Sequence, residues 1–336
     1  MNISEIARLA GVSSAAVSRY FNHGYISETK REAIRKVVEE TGFRPLMQAQ
    51  TLRTKKTMMV GVVAPKMASY SIGQIVDGIL NVLNESDYQM LLAVTQNDPD
   101  KELAYLKSFS QRGVDGIIYI ASGFSKKHLQ LLKRIQVPLV IVGQQLDGYS
   151  CVYHDDYHAI YDMTAHVCAS GRKKAAWLGV THFDPAAGLL REQAYVDALL
   201  AAGRQADSKY MATSSFSVRG GTEKAKELLD RCPDIDAMIC ATDEIAAGAF
   251  LYITSNGRKV PEDIMVTGLG DSDLSRAAGH GICTIRFEYL MSGETAARLL
   301  LERMQNTGEE QNSLEEPSER QEIRQVRLGY RMILPS

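Results

Sequence analysis

Short runs of consecutive apolar residues, each about the length of a β-strand, recur along most of this 336-residue chain. The first run, at residues 58–64, ends at Pro65, and amphipathic stretches such as 72–84 and 101–113 separate later runs. Strands that are apolar on both faces and alternate with helices indicate parallel sheets covered by helices. The chain is too long for one ordinary core, so we expect two such sheets. The further runs lie at 89–94, 116–120, 139–142, 175–179, 237–240 and 264–267.

A different pattern occupies the first 22 residues, where two short amphipathic segments flank a glycine. Asn2 or Ser4 can cap the first segment, which Gly11 would end. Ser13 can cap the second segment, and a third helix is predicted from residue 27 to about 41. Two helices joined by a short turn form the helix-turn-helix motif, whose second helix lies in the major groove of DNA. Helix pairs of this kind also occur in ordinary bundles, so the spacing alone leaves both interpretations open.

Charge separates the same N-terminal region from the rest of the chain. Residues 1–57 contain ten Lys or Arg against five Glu, a balance of +5, whereas the whole chain carries −2. The remainder therefore carries −7. Because sequence-independent affinity for nucleic acid comes from neutralising phosphates, this separation predicts a DNA-binding surface at the N-terminal end.

The N-terminal string closely resembles the DNA-binding head of the lactose repressor and galactose repressor family. The matching strings are Ile-Ala-Arg-Leu-Ala-Gly-Val-Ser at 6–13, Val-Ser-Arg at 17–19, Gly-Phe-Arg-Pro at 42–45 and Ala-Gln-Thr-Leu at 49–52. Later strings, at 114–118, 241–249 and 266–270, resemble the periplasmic-binding-protein-like core of that family. The resemblance thus covers nearly the whole chain, and the string at 179–191 is most similar to the sucrose and trehalose repressor branches.

The resemblance implies a multidomain α and α/β fold, with a helix-turn-helix head and a periplasmic-binding-protein-like core of two parallel-sheet α/β subdomains. The chain would cross between the subdomains near residues 154, 286 and 322, and the polar stretch 305–322 predicts a mobile surface loop. A strand-like stretch at 326–334 follows it. The implied domains are 1–45 for the head, 46–57 for a hinge helix and linker, 58–154 plus 286–321 for the N-terminal core subdomain, and 155–285 plus 322–336 for the C-terminal core subdomain.

The same resemblance assigns DNA contacts to the head and the hinge. Ser14, Ala15 and Arg19 are expected to contact base edges, because arginine is the usual partner of guanine and small side chains give apolar contacts. Leu52 matches a family leucine that wedges into the minor groove, although a plain helical linker is the alternative. The residues expected mainly to position the head on phosphates are Asn2, Ser13, Ser18, Asn22, Tyr25 and Thr29. Ala49 and Gln50 of the hinge are further expected DNA contacts.

An effector is expected in the cleft between the two sheets, since open α/β sheets bind ligands beyond the carboxyl ends of their strands. Arg191 matches a family arginine that reaches into this cleft, and a surface ion pair is the alternative. Thr242 takes a ligand-contacting position, and Asp243 beside it can instead be a helix N-cap. The further expected ligand contacts are Tyr70, Ser71, Gln144, His182, Asp184, Asp271 and Phe287.

Two positions depart from the family pattern. Gly270, followed by Asp271, stands where the family often has an aspartate, and Gly143-Gln144 stands where an acidic residue is frequent. A cleft with fewer carboxylates would suit an anionic effector such as a sugar phosphate, because a buried carboxylate repels a phosphate.

Several other functional classes find little support in the sequence. The five cysteines are scattered without a Cys-x-x-Cys pair, which favours reduced core thiols over disulfides or structural zinc. His and Asp cluster at 154–158, which leaves a metal site as an alternative, but we expect no metal and no cofactor. No apolar run spans a membrane and no export signal or catalytic motif is found, so we expect a cytoplasmic protein that is not an enzyme.

These observations predict a dimeric transcriptional regulator that binds double-stranded operator DNA. We expect it to repress a carbohydrate-utilisation operon and to respond to a sugar or sugar phosphate. The rival hypothesis is a cytoplasmic sugar-binding module or enzyme on the same α/β core, with the head as an incidental appendage. The head discriminates between the two, because a sugar module needs neither the Val-Ser-Arg string nor the +5 balance.

The hinge generates the first testable prediction. Residues 46–53 are too few for a stable isolated helix, so their folding must depend on DNA and on a second hinge. Leu52→Ala should therefore weaken operator binding strongly while sugar binding and dimerisation stay unchanged. Glycine at positions 48–51 should act similarly, at roughly 1 kcal/mol for each substitution. Band-shift and DNA-bending assays would measure both, and a Leu52→Ala protein that bends its operator like the parent would contradict the wedge.

Overall fold

The computed structural model describes residues 1–21, 24–43, 56–111, 113–278, 281–310 and 322–334. Contacts between residues divide the chain into two units, Met1–Met58 and Met59–Ser336, which are described separately below. The expected hinge at 46–53 and most of the expected mobile loop at 305–322 lie outside the described residues.

The N-terminal unit contains three helices: α1 (Ile3–Leu9), α2 (Ser14–Phe21) and α3 (Glu28–Thr41). Asn2 caps α1 through a capping box, in which its side chain accepts from Glu5 N at 3.0 Å and the Glu5 carboxylate accepts from Asn2 N at 2.9 Å. Gly11, with φ of +63°, lies in the turn between α1 and α2, where a left-handed conformation favours glycine. Ser13 Oγ accepts from Ala16 N at 3.3 Å, at the start of α2.

The three helices enclose a small core. Ile6 of α1, Val17 of α2 and Ile34 of α3 are completely buried, and Ala7, Ala16 and Ile26 pack around them. Because α2 buries only Ala16 and Val17, most of the rest of its surface faces outward. The apolar positions that predicted helices in the sequence are therefore the residues that form the core of the head.

The C-terminal unit contains two six-stranded sheets, each with helices around it. The first lobe comprises β1 (Met59–Ala64), α4 (Tyr70–Glu85), β2 (Gln89–Val94), α5 (Pro99–Gln111), β3 (Gly116–Ile120), α6 (Lys126–Leu132), β4 (Leu139–Val142), β5 (Ser150–His154), α12 (Tyr289–Glu310) and β11 (Gln325–Leu328). The second lobe comprises α7 (Asp156–Ala169), β6 (Ala175–Gly179), a π-helix (Pro185–Leu190), α8 (Arg191–Ala201), β7 (Met211–Thr213), α9 (Val218–Arg231), β8 (Ala237–Cys240), α10 (Asp243–Ser255), β9 (Met265–Thr267), α11 (Asp273–Ala277), β10 (Ile282–Phe287) and β12 (Tyr330–Ile333). A short 3₁₀ helix, Ser208–Tyr210, precedes β7.

The strand order is β11-β5-β4-β3-β1-β2 in the first sheet and β12-β10-β9-β8-β6-β7 in the second. The pairings are parallel except for β12, which runs antiparallel to β10. Strands β3, β4, β6 and β8 are buried along their whole length. This burial explains their uninterrupted apolar runs, and the two-sheet prediction is confirmed.

The chain crosses between the lobes three times, and the third crossing differs from the sequence prediction. Strand β10 stays in the second sheet to Phe287, so the second crossing follows this residue, close to the expected position near 286. The third crossing falls at Gly329 and not near 322, because Val326 pairs with Val152 in the first sheet before Tyr330 pairs with Phe287 in the second. The single strand-like stretch seen in the sequence is thus two strands on different sheets, and hydrophobic pattern cannot show which edge each half will pair with.

The first lobe depends on a close approach between α4 and α12. A Cβ added at Gly78 of α4 would overlap the carbonyl oxygen of Leu290, and one at Gly293 of α12 would overlap that of Ile75. The two helix backbones therefore touch directly at these glycines. None of the described helices is both long and apolar enough to cross a membrane.

This contact predicts opposite effects for two glycines of the same helix. Gly78→Ala should destabilise the core by roughly 1–3 kcal/mol, because the added methyl group forces α4 and α12 apart. Gly73→Ala is the matched control, since a Cβ there meets no atom within 4 Å, and it should stabilise by about 0.4–1 kcal/mol. Urea denaturation followed by circular dichroism measures both changes, and equal midpoints for the two variants would contradict the packing.

Candidate functional site

The outer face of α2 carries the residues expected to contact DNA bases. Ser14, Ala15 and Arg19 are exposed, on the side of the helix away from Ala16 and Val17. Among the other expected head contacts, Asn2, Ser13 and Thr29 are exposed, Tyr25 is 91% exposed and Ser18 is half-buried. Asn22, Ala49, Gln50 and Leu52 lie outside the described residues.

The positive charges of the head differ in their pairing. Arg35 is held by the carboxylates of Glu32 and Glu39, with Nη–O distances of 2.5 and 3.3 Å. In contrast, Arg8, Arg19 and Lys30 form no ion pair among the described residues and are exposed. These three side chains are therefore available to phosphates or base edges.

A cleft that is partly open to solvent lies between the two lobes. Its lining includes residues that follow the carboxyl ends of β1, β3, β4 and β5 in the first sheet and of β6, β8 and β9 in the second. This is where open α/β sheets bind ligands. Seven of the ten expected ligand contacts line it: Tyr70, Ser71, Gln144, Asp184, Arg191, Thr242 and Asp243.

Arg191 is the first residue of α8 and is 7% exposed, so the alternative of a surface ion pair does not fit. Its Nε donates to Asp156 Oδ1 at 2.7 Å, its Nη2 lies 2.6 Å from the same oxygen, and its Nη1 donates to the carbonyl oxygen of Ala241. A guanidinium has five N–H groups, so two remain for a ligand in the cleft. The pair with Asp156 also fixes the plane in which those two N–H groups lie.

Gln144 and Asp184 join the two lobes across the cleft. Gln144 Nε2 donates to Asp184 Oδ1 at 2.8 Å. The same carboxylate caps the π-helix by accepting from Ala187 N at 2.9 Å. Burial raises the pKa of Asp184, and the bonds that it accepts oppose that rise. A ligand hydroxyl near this carboxylate would compete with Gln144.

Thr242 and Asp243 have separate structural roles. Thr242, and not Asp243, is the N-cap of α10, because its Oγ1 accepts from Ile245 N. Asp243 instead accepts from Ser272 N at 2.7 Å, from Ser275 Oγ at 2.8 Å and from Thr284 Oγ1 at 2.6 Å. One buried carboxylate therefore ties α10 to the start of α11 and to β10.

Three expected contacts do not line the cleft. His182 is about half exposed and lies 3.2 Å from the carboxylate of Glu192. Asp271, with φ of +48°, turns its carboxylate to the guanidinium groups of Arg276 and Arg286 at 3.0 and 2.5 Å. Phe287 is buried and stacks on His154, with ring centroids 4.6 Å apart.

Several residues of the lining were not foreseen as ligand contacts: Lys66, His154, Phe216, Glu244 and Tyr289. Lys66 is the second residue after β1, so the rule that ligands bind beyond strand ends could have identified it from the sequence. Phe216 follows β7, a three-residue strand whose apolar signal is too short to recognise. Burial lowers the pKa of His154 to about 4, so its imidazole is neutral. Within the described residues, no three potential metal-ligating side chains come together.

A helix-turn-helix domain followed by a two-lobed α/β core, with charged and polar side chains in the cleft between the lobes, defines a ligand-responsive DNA-binding regulator. Residues 2–45 match the bacterial regulatory proteins of the lacI family, and residues 57–323 match the periplasmic binding proteins and sugar binding domain of the LacI family. The chain belongs to the LacI family of DNA-binding transcriptional regulators.

Similar proteins match along nearly the whole chain. The sucrose operon repressor of Staphylococcus xylosus is 30% identical over 91% of this chain and 94% of its own length. The regulator TreR of Salmonella typhimurium is 27% identical over 90% of this chain and 94% of its own. A complex of the transcriptional regulator CelR with cellobiose is 26% identical, covers 99% and 98% of the two chains, and superimposes with a TM-score of 0.74. The lac repressor dimer bound to operator and an anti-inducer is 20% identical, covers 99% and 97%, and shares the fold with a TM-score of 0.85.

The network around Asp243 predicts a structural requirement. Asp243→Ala should destabilise the core by at least about 2 kcal/mol, because three buried donors lose their acceptor. The control is Asp273→Ala, because this 89% exposed carboxylate pairs with Arg276 at 3.5 Å at the surface and should contribute little. Urea denaturation compares the two, and similar midpoints would show that the donors find other acceptors.

Proposed function

We propose that this regulator is a dimeric repressor of a carbohydrate-utilisation operon and that a sugar in the cleft controls its affinity for a palindromic operator. The observation that carries the proposal is the position of Arg191. Arg191 lines a cleft formed by the strand ends of two lobes, and two of its N–H groups take no part in the bonds to Asp156 and Ala241. Convergent donors and acceptors in such a cleft suit the hydroxyl groups of a sugar.

The relatives support the same effector class. A sucrose operon repressor and a regulator crystallised with cellobiose match over at least nine-tenths of this chain. We infer that the chain acts by binding and not by catalysis, because the relatives are regulators and the lining carboxylates Asp156, Asp184 and Asp243 already bond to protein groups. A regulator of this kind works where the chromosome lies, which is the cytoplasm. The DNA contacts and the ligand contacts named from the sequence belong to this proposal.

Control by a sugar requires contacts that differ between two conformations. The bond between Gln144 and Asp184 joins the lobes in the present arrangement, and a sugar that competes for these groups would change the equilibrium between lobe orientations. A rotation of packed lobes about their crossings costs only a few kcal/mol, which ligand binding can supply. The relevant DNA affinity is that of two heads on one palindrome, so a change in lobe orientation affects both half-sites together.

The proposal predicts that Arg191 is required for the sugar response. Arg191→Ala should abolish the response, but it leaves Asp156 as an uncompensated buried charge. Arg191→Lys is the sharper variant, because it keeps the charge and loses the planar fork. We expect at least about tenfold more sugar to be needed for the same change in operator affinity, which corresponds to about 1.4 kcal/mol. Fluorescence anisotropy with labelled operator, titrated with sucrose, trehalose and cellobiose, measures the response.

The matched control is Arg172→Lys. The Arg172 guanidinium binds the backbone carbonyls of Pro261, Glu262 and Asp263 outside the cleft, so this variant should respond like the parent. Operator affinity without sugar reports whether each variant is folded. An Arg191→Lys protein that responds at the original sugar concentration would remove Arg191 from the site.

A further inference from the structure

The side chain of Lys66 reaches across the cleft from the first lobe to the second. Lys66 is the second residue after β1 of the first lobe, and its Nζ lies 5.1 Å from the centroid of the Phe216 ring, which belongs to the second lobe. Both side chains line the effector cleft. An ammonium above an aromatic ring is attracted by the partial negative charge on the face of the ring.

The ring stabilises the charge of Lys66 without using its hydrogen-bonding capacity. Within the described part of the chain, Nζ forms no hydrogen bond and no ion pair, although Glu244 attracts it at longer range. Burial lowers the pKa of Lys66, because partial removal from water disfavours the charged form. An ammonium has three N–H donors. Lys66 thus presents partly desolvated donors to whatever oxygen enters the cleft.

The charge of the surrounding lining limits what that oxygen can belong to. Among the described residues of the lining, carboxylates outnumber cationic side chains by four to two: Asp156, Asp184, Asp243 and Glu244 against Lys66 and Arg191. Arg191 is already paired with Asp156, so it offers little net positive charge. Burial raises the pKa values of Asp184 and Asp243. The other two carboxylates balance the two cationic side chains, so the lining offers no net positive charge to offset a phosphate in a partly buried site. This balance opposes the anionic effector that Gly143 and Gly270 suggested in the sequence.

We propose that Lys66 is an effector-binding residue that donates hydrogen bonds to the hydroxyl groups of an uncharged sugar, held in place by the ring of Phe216. The inference rests on the proposed sugar-controlled function. It adds that the effector is uncharged and that Lys66 binds it. Because Lys66 comes from the first lobe and Phe216 from the second, a sugar held by Lys66 contacts both sides of the cleft.

The test compares two lysines that make the same kind of contact. Lys66→Met removes the ammonium and keeps most of the side-chain length, and Lys66→Arg keeps the charge. The matched control is Lys174→Met, because Lys174 Nζ lies 5.6 Å from the Tyr210 ring and neither residue lines the cleft. Isothermal titration calorimetry of the full-length protein uses sucrose, trehalose and cellobiose, and then the 6-phosphate of whichever sugar binds.

We expect Lys66→Met to raise the Kd for the neutral sugar by at least about tenfold, the loss typical of a hydrogen bond from a charged donor. Lys174→Met should stay within about twofold of the parent, Lys66→Arg should recover most of the affinity, and the parent should bind the neutral sugar more tightly than its 6-phosphate. Circular dichroism checks folding, and if Lys66→Met does not fold, Lys66→Gln takes its place with the same expected loss.

Each outcome bears on a separate claim. A Lys66→Met protein with the parent Kd, even with an altered melting temperature, would show that Lys66 contributes only to structure and would overturn the inference. A tighter complex with the 6-phosphate would overturn the uncharged effector. If the parent binds none of these sugars, the proposed sugar control itself fails and this inference fails with it.

Discussion

The constraint on which the core depends is that the chain crosses between two parallel sheets three times. The crossings follow His154, follow Phe287 and fall at Gly329, and aromatic rings pack where they converge. Phe287 stacks on His154 at 4.6 Å, and the rings of Tyr289 and Tyr330 meet Phe287 edge-on at 5.9 and 6.5 Å. Three connections held together by packed rings allow the lobes to rotate as bodies while their strand ends keep facing one another.

The facing strand ends explain why charged groups can be buried in the cleft. Removing Arg191 and Asp156 from water is costly, and their mutual attraction only offsets that cost, so the pair is better understood as a positioning device than as a source of stability. Asp243 acts in a similar way, since its three accepted hydrogen bonds hold α11 and β10 at the edge of the cleft. Gln144 and Asp184 then connect the lobes through one bond that a ligand hydroxyl can replace.

The sequence predicted the strands that are continuous apolar runs and missed those whose apolar run is very short or is interrupted by polar residues. Strands such as β3 and β8 are apolar at nearly every position because both of their faces are covered. Strand β10 includes Thr284 and Arg286, whose side chains bind Asp243 and Asp271, so its apolar pattern is interrupted by the polar contacts that build the site. Lys66 could have been foreseen from its place after β1, whereas Phe216 follows a strand too short to recognise.

By itself, the sequence determined the helix-turn-helix head, the two α/β sheets and the family, because capping residues, apolar periods and the basic N-terminal balance are local properties of the chain. Only the tertiary structure decided which polar groups meet. It paired Asp271 with Arg276 and Arg286, and it brought Lys66 over Phe216 from the opposite lobe. The physical reason is that contacts between distant segments depend on backbone direction and on the orientation of whole lobes, and spacing along the chain contains neither.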